Sequence, residues 1–398
     1  MTGVHAAAFK SLSGSTTQFP GRYSSLDIWR GVASFLVVIH HLLSNRPGLI
    51  SDFFYLFVQV FFVISGYCLS AALHRATDTG MGFGTFMKRR VRRIAPPYLA
   101  SVFFALGCLG ITAYTDGGLD RLGIQLALPW WSLLQNFTMT QFLTTTYRYV
   151  TGGANIVPWM NPILVCPPHW SLNYEEQFYL LMGAAIAVSA VARPAVSLAV
   201  LTAGVVVLNV SLSESFSGFF FDYWLQFATG LAVYLRLCGI KSPRVAQAFD
   251  AVGLALVAAV TAWAFHRGHL RFNANLRQFW GQLALCMWFA TLLIVTRRFD
   301  KVFSTSRVTR ALMWLGAMSY SLYLVHYPLL KLLARERVQL SRTHSPVLVE
   351  TGATVIVLVV AYLFYRAFER PFLNTGTSRA AKPAVVEGAT SPTPEATA

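Results

Sequence analysis

Charge is the scarcest commodity in this 398-residue chain: only 12% of its residues are Asp, Glu, Lys or Arg. A soluble globular domain carries about 25%, so a freely soluble fold is excluded as the first reading. Acidic residues are especially few, 16 against 32 Lys and Arg, and the formal net charge is +16. There are five cysteines and no CxxC or Cys/His ligand spacing. That argues against a disulfide framework or a zinc site. Cys68, Cys108, Cys238 and Cys286 fall in apolar runs and read as buried apolar thiols, while Cys166 falls in a long connection. No succession of alternating ten-residue strands with turn signals is present, which excludes an outer-membrane barrel. Residues 1–20 are rich in Ser, Thr, Ala and Gly and lack the continuous apolar core of a cleavable signal.

What is abundant is apolar sequence, 55% of the chain, gathered into runs close to the roughly 20 residues that cross a bilayer as a helix. The fold class expected is therefore all-α: a polytopic transmembrane helical bundle of about ten spans. The runs lie near 26–43, 53–73, 94–114, 171–191, 195–211, 218–236, 249–265, 278–296, 312–333 and 347–367. They make one transmembrane domain over 23–373, with a disordered tail at 1–22 and another, rich in Ala, Pro, Thr and Ser, at 374–398. The connection 115–169 holds many prolines, glycines and aromatics and reads as an ordered extracytoplasmic cap.

In a membrane protein, excess positive charge points first to topology and to anionic lipid, not to nucleic acid. Lys88, Arg89, Arg90, Arg92 and Arg93 precede the third run, and Arg297, Arg298, Lys301, Arg307 and Arg310 lie between the eighth and ninth. Both clusters fall on one side of a ten-span chain. By the positive-inside rule that side is cytoplasmic, and both termini are cytoplasmic with it. The loops around Arg267–Arg277 and Lys331–Arg342 break the trend. They bind an anionic acceptor or lipid, or one span is miscounted.

Ionisable groups within apolar spans are costly and mark function by default. Arg30 and His41 stand eleven residues apart in the first run, three helical turns on one face and about 16 Å. They read as two ends of a polar channel, or as a snorkelling arginine and a satisfied interfacial histidine. Arg90 and Arg93 are i,i+3 neighbours, a pair suited to phosphate groups or a plain topology determinant. Ser171, Glu175 and Tyr179 form an i, i+4, i+8 stripe, with Glu176 about 100° away. Ser319, Tyr323 and His326 share a face of the ninth run, for chemistry or for interhelical hydrogen bonding. Depth along the spans puts Arg30, Arg90 and Arg93 toward the cytoplasm, and His41, His326 and Glu175 in the outer half.

Taken together and in order, these pieces resemble the membrane-bound acyltransferase 3 family. The matching elements are Arg30 with ten residues to His41, Phe61-Phe62-Val63-Ile64-Ser65-Gly66-Tyr67, and Arg90-x-x-Arg93 with Pro96 and Tyr98. Trp170-Ser171-Leu172 with Glu175, Phe178 and Tyr179 follows, then Ser319-Tyr320-Ser321-x-Tyr323-Leu324-x-His326-x-Pro328 and Glu369-Arg370-Pro371. Trp29, Arg92 and His40 depart from the family's usual pattern. The resemblance implies a ten-helix O-acyltransferase of the plasma (bacterial inner) membrane. It would move an acyl group, acetyl by default, from cytosolic acyl-CoA to a hydroxyl of a carbohydrate, glycolipid or similar acceptor. It implies that His41 is the essential histidine and that Arg30, Arg90 and Arg93 serve the donor. Glu175 is expected to orient His41 or the acceptor, with Ser171, Tyr179, Ser319, Tyr323 and His326 in support. Acetyl-CoA enters as a substrate, and no metal or permanently bound cofactor is expected. A proton-coupled exporter of a small acidic or sugar-containing metabolite is the alternative, and the lack of repeat halves speaks against it.

Overall fold

Backbone N–H and C=O groups have no water to turn to inside a bilayer, so apolar spans satisfy them internally as helices. The computed structural model describes residues 23–43, 53–115, 130–141, 143, 165–188, 194–211, 218–270 and 279–373, and the regular elements among them are all helical. They are α1 (Ser24–Leu42), α2 (Phe57–Asp78), α3 (Phe83–Thr115), α4 (Trp130–Thr138), α5 (Trp170–Ala187), α6 (Pro194–Ser211) and α7 (Trp224–Tyr234). After these come α8 (Pro243–His266), α9 (Phe279–Thr296), α10 (Asp300–Thr305), α11 (Arg307–Ala317), α12 (Ser319–Leu332), α13 (Ala334–Leu340) and α14 (Pro346–Phe364). Pro243 and Pro346 open α8 and α14, where a missing N–H costs nothing. Among the described residues five segments are long and apolar enough to cross a membrane: Phe53–Asp78, Phe83–Thr115, Pro243–His266, Phe279–Phe303 and Pro346–Phe372.

Each expected run coincides with a helix, with two differences of consequence. α3 begins at Phe83, well ahead of the run expected from 94, so the helix on which Arg90 and Arg93 were expected takes in the whole basic cluster and runs for 33 residues, about 50 Å at 1.5 Å per residue. Arg90 and Arg93 are thereby carried on a rigid element. The ninth run is broken at Met318, whose backbone leaves the helical region (φ −103, ψ 13). Ser319 therefore starts a new helix instead of lying within one. The tails 1–22 and 374–398 and most of the connection 115–169 lie outside the described residues. Of that connection, α4 is described; it packs Phe137 on Phe103 with ring centroids 5.4 Å apart and offers the Asn136 carbonyl to the Tyr98 hydroxyl at 2.6 Å.

Two large apolar clusters, with a smaller third among α1, α2, α7 and α9, hold the bundle. One joins α2, α5 and α7 through Phe62, Phe178, Trp224 and Phe227, with Phe178 stacked on Phe227 at 4.4 Å. The other joins α1, α3, α12 and α14 through Val37, Tyr98, Leu324 and Val357. α8 buries only Val257 and Ala264 and turns Leu254, Trp263 and Phe265 outward, the surface expected of a helix facing lipid.

The bundle has two distinct ends. At one, the Ser25 N–H donates to Asp300 Oδ1 at 2.9 Å, and Arg297 covers the Tyr23 ring at 4.9 Å. At the other, Arg337 donates to Glu350 at 2.6 Å and to the Leu42 carbonyl at 2.9 Å, and Arg335 donates to the Thr115 carbonyl at 2.9 Å. These contacts account for two of the charges that broke the positive-inside trend. Arg335 and Arg337 tie helix ends together, which neither of the two sequence explanations for that loop anticipated. Residues 271–278 of the other exceptional loop lie outside the described residues.

Small residues set how closely the helices approach. A Cβ on Gly230 of α7 would fall 1.8 Å from the Val63 carbonyl oxygen of α2, and one on Gly66 would fall 2.0 Å from that of Phe227. Gly316 against Asp27 and Gly31 against Leu312 form the same kind of contact between α11 and α1. Gly230→Ala is expected to destabilise the detergent-solubilised protein by about 1–3 kcal/mol, the usual cost of overpacking. Gly253→Ala, where nothing lies within 4 Å, serves as the control and should hold or slightly raise the thermal midpoint. Equal midpoints for the two variants would contradict the close approach of α2 and α7.

Candidate functional site

Five helices converge on one cavity in which charged and hydroxyl side chains stand among apolar ones. α1 contributes Arg30; α2 contributes Phe61, Ser65 and Cys68; α3 contributes Arg90 and Arg93. α5 contributes Ser171, Glu175 and Tyr179, and α12 contributes Ser319, Tyr320 and Tyr323. Eight of the ten residues singled out in the sequence line this one space. The remaining two, His41 and His326, form a separate pair with ring centroids 5.1 Å apart.

The cavity is wired by short hydrogen bonds. Tyr179 donates to Glu175 Oε1 at 2.6 Å and Ser65 donates to the same oxygen at 3.1 Å. The Arg90 guanidinium lies 5.7 Å from the Tyr179 ring centroid and 5.2 Å from that of Phe86, within cation–π range. Glu175 thus belongs with the arginines, not with the histidines, although its position along its span suggested the outer half. The reason is the length of α3, which carries Arg90 and Arg93 alongside Tyr179, one turn below Glu175.

Tyr323 links this cavity to the histidine pair. Its hydroxyl donates to the Pro168 carbonyl, which leaves it to accept from Ser171 Oγ at 2.6 Å. Its ring lies 5.8 Å from that of His326. His326 is fully buried, and its Nδ1 sits 2.8 Å from the Tyr323 carbonyl and 3.1 Å from that of Leu322. Both partners are acceptors, so Nδ1 carries the proton and Nε2 keeps its lone pair. Among the described residues no group bonds that Nε2. His41 meets His326 on one side and the Tyr327 ring at 5.1 Å on another, while His40 turns to Tyr55 at 5.6 Å. The two adjacent histidines therefore have different partners, as their offset of about 100° requires. Among the described residues no three His, Cys, Asp or Glu side chains are arranged to hold a metal ion.

Sequence reasoning passed over three contributors. Glu369 is 2% exposed, accepts from the Ser321 N–H at 3.0 Å and Oγ at 2.5 Å, and lies within Coulombic reach of Arg30 and Arg93. It is a buried counter-charge brought in from the far end of the chain. Ser65 and Cys68 face the cavity from α2. Cys68 was expected to be a buried apolar thiol; Cys108, Cys166 and Cys286 are buried, but Cys68 is exposed and Cys238 half-buried. The available signal was spacing, since Phe61, Ser65 and Cys68 lie at i, i+4 and i+7 on one helix face.

These features define an integral membrane helical bundle with an arginine-rich internal cavity joined through a tyrosine to a pair of histidines, His326 fully buried and His41 half-buried. The model of the Acyl_transf_3 family, described as an acyltransferase domain, matches residues 23–366, and the chain belongs to that family. It is 25% identical over 381 residues to the O-acetyltransferase OatA of Staphylococcus aureus, covering 90% of this chain and 58% of OatA. It is 24% identical over 395 residues to the Bacillus subtilis protein named "Putative peptidoglycan O-acetyltransferase YrhL", covering 90% of this chain and 56% of YrhL. The chain thus spans less than two thirds of the length of these curated relatives. No solved structure matches it.

Removing the buried Glu369 carboxylate leaves the half-buried Arg30 and Arg93 short of a counter-charge. Glu369→Ala is expected to destabilise the fold by about 3 kcal/mol or more. Ser321→Ala, which deletes one hydroxyl partner of the same carboxylate, should cost about 1–2 kcal/mol. Denaturation of the purified variants measures both, and a Glu369→Ala protein as stable as wild type would remove Glu369 from the charge network.

Proposed function

We propose that this protein is a plasma-membrane O-acyltransferase that moves an acyl group, acetyl by default, from cytosolic acyl-CoA to a hydroxyl of a cell-surface or exported carbohydrate or glycoconjugate. The observation that carries the reading is one cavity holding Arg30, Arg90 and Arg93 and connected by Tyr323 to the His41–His326 pair. Family membership supplies acyl transfer, and the names of the two relatives supply O-acetylation, with peptidoglycan in one of them. The proposed topology has ten spans with both termini in the cytoplasm. It draws support from the two bundle ends, since Tyr23, Arg297 and Asp300 gather at one and Leu42, Thr115 and Arg337 at the other.

In this scheme the three arginines hold the phosphates of the donor, for which a planar fork of donors is suited. Glu175 and Glu369 balance part of their charge in the empty site and position them. The pantetheine arm runs past Ser319 toward Tyr323 and the histidines. His41 takes the proton from the acceptor hydroxyl, with the Nε2 lone pair of His326 as its neighbour. The acceptor oxygen bonds to the thioester carbonyl carbon, the C–S bond breaks, and the departing thiolate receives the proton. Ser319, whose hydroxyl lines the cavity, is 1% exposed and has no protein partner among the described residues, is the donor left free for the pantetheine arm. Tyr179 and His326 Nδ1 are already committed to other acceptors.

His41→Ala should lower transfer of labelled acetyl from acetyl-CoA to envelope glycans by at least about 100-fold, the scale of general-base catalysis. Arg90→Ala and Arg93→Ala should act mainly by raising the KM for acetyl-CoA. A His41→Ala protein that inserts normally and keeps full activity would refute the scheme.

A further inference from the structure

Cys68 is the twelfth residue of α2, and its neighbours Tyr67 and Leu69 are each 1% exposed. Cys68 is nonetheless exposed. Its open surface is the cavity itself, because Phe61, Ser65 and Cys68 lie on one helix face and all three line that space. The same face continues through half-buried Ala72 to exposed Arg75 in the last turn of α2, which gives it a route to the bundle surface. Arg30, Arg90 and Arg93 all lie within Coulombic reach of the thiol. In the same cavity the buried Ser319 hydroxyl has no partner among the described residues, a second sign that a polar ligand occupies it. The other cysteines are placed differently. Cys108, Cys166 and Cys286 are buried, and Cys238 is half-buried with the Tyr23 and Tyr67 hydroxyls at 3.7 and 3.6 Å.

We propose that Cys68 is a modification site within the donor cavity, taking up coenzyme A from its disulfide and thereby closing the cavity to acyl-CoA. This rests on the reading of the cavity as the acyl-CoA site. The arm that delivers a thioester sulfur past the arginines delivers the same sulfur when it is part of a disulfide. Cys68 sulfur, as thiolate, attacks one sulfur of the coenzyme A disulfide. That S–S bond breaks, a Cys68–coenzyme A disulfide forms, and one coenzyme A thiolate leaves and takes the proton lost by Cys68. The disulfide under attack is the oxidant, so no further reagent is needed, and a dithiol reductant reverses the step. The three arginines select for an anionic disulfide over a neutral one of the same reactivity.

The test uses the full chain purified in detergent and treated in parallel with coenzyme A disulfide, with pantethine (the corresponding disulfide without phosphates) and with N-ethylmaleimide. Peptide mass mapping locates the adducts, and acetyl transfer from acetyl-CoA is measured before and after treatment. The expected result is a coenzyme A adduct on Cys68, formed about tenfold or more faster than the pantethine adduct. Transfer is lost with the adduct and recovered with dithiothreitol, and saturating acetyl-CoA slows labelling. Cys68→Ser acquires no adduct at that position, and the treatment does not lower its transfer activity below the level that variant shows untreated. If the untreated protein transfers acetyl but Cys68 reacts with none of the three reagents, the inference fails and the donor reading stands. If maleimide labels Cys68 but acetyl-CoA neither protects it nor serves as donor, the donor reading fails and the inference with it. Equal rates with pantethine and coenzyme A disulfide, or full activity in the modified protein, would overturn the proposal as well.

Discussion

Positive charge held inside a helical bundle has to be compensated, and here it is compensated only in part. Arg30, Arg90 and Arg93 line one internal cavity, with Glu175 among them and Glu369 within Coulombic reach of two of them. Three guanidinium groups against two carboxylates leave an excess that favours an anionic occupant. The carboxylates are themselves held: Glu175 by Tyr179 and Ser65, Glu369 by the backbone and hydroxyl of Ser321.

The scaffold that keeps this arrangement rigid is built from close helix contacts. Glycine pairs let α2 approach α7 and α1 approach α11 at backbone distance. Those contacts position the faces of α1 and α2 that bear Arg30, Ser65 and Cys68. The break at Met318 serves the same end. It lets α11 pack along α1 while α12 starts afresh, with Ser319 and Tyr323 turned to the cavity and His326 one turn further toward His41. The polar path therefore changes chemistry along its length, from guanidinium and carboxylate through hydroxyls to imidazole.

Much of the site was legible because membrane spans make polar residues conspicuous. Against a 55% apolar background, Arg30, His41, Glu175 and His326 stand out, and helical periodicity grouped Ser171 with Tyr179 and Ser319 with Tyr323. Periodicity fails where a partner comes from a distant element. Glu369 was visible only as part of a short motif, and its role as counter-charge depends on α14 returning to α12, 48 residues away. The pairing of Glu175 followed the same logic. Distance along its own span placed it with the histidines, but the added turns of α3 bring the arginines to it instead.

The amino-acid sequence alone determined the helical class, the helical segments and which polar side chains share a face, because these follow from local hydrogen bonding and a 3.6-residue repeat. Only the tertiary structure decided that Glu175 and Cys68 open onto the arginine cavity, that His41 meets His326, and that Arg337 is a structural clamp on Glu350 and Leu42. The physical reason is that a residue's face on its own helix fixes its direction, while the rotation, offset and length of neighbouring helices fix what it meets. Those depend on side-chain packing between segments far apart in the chain.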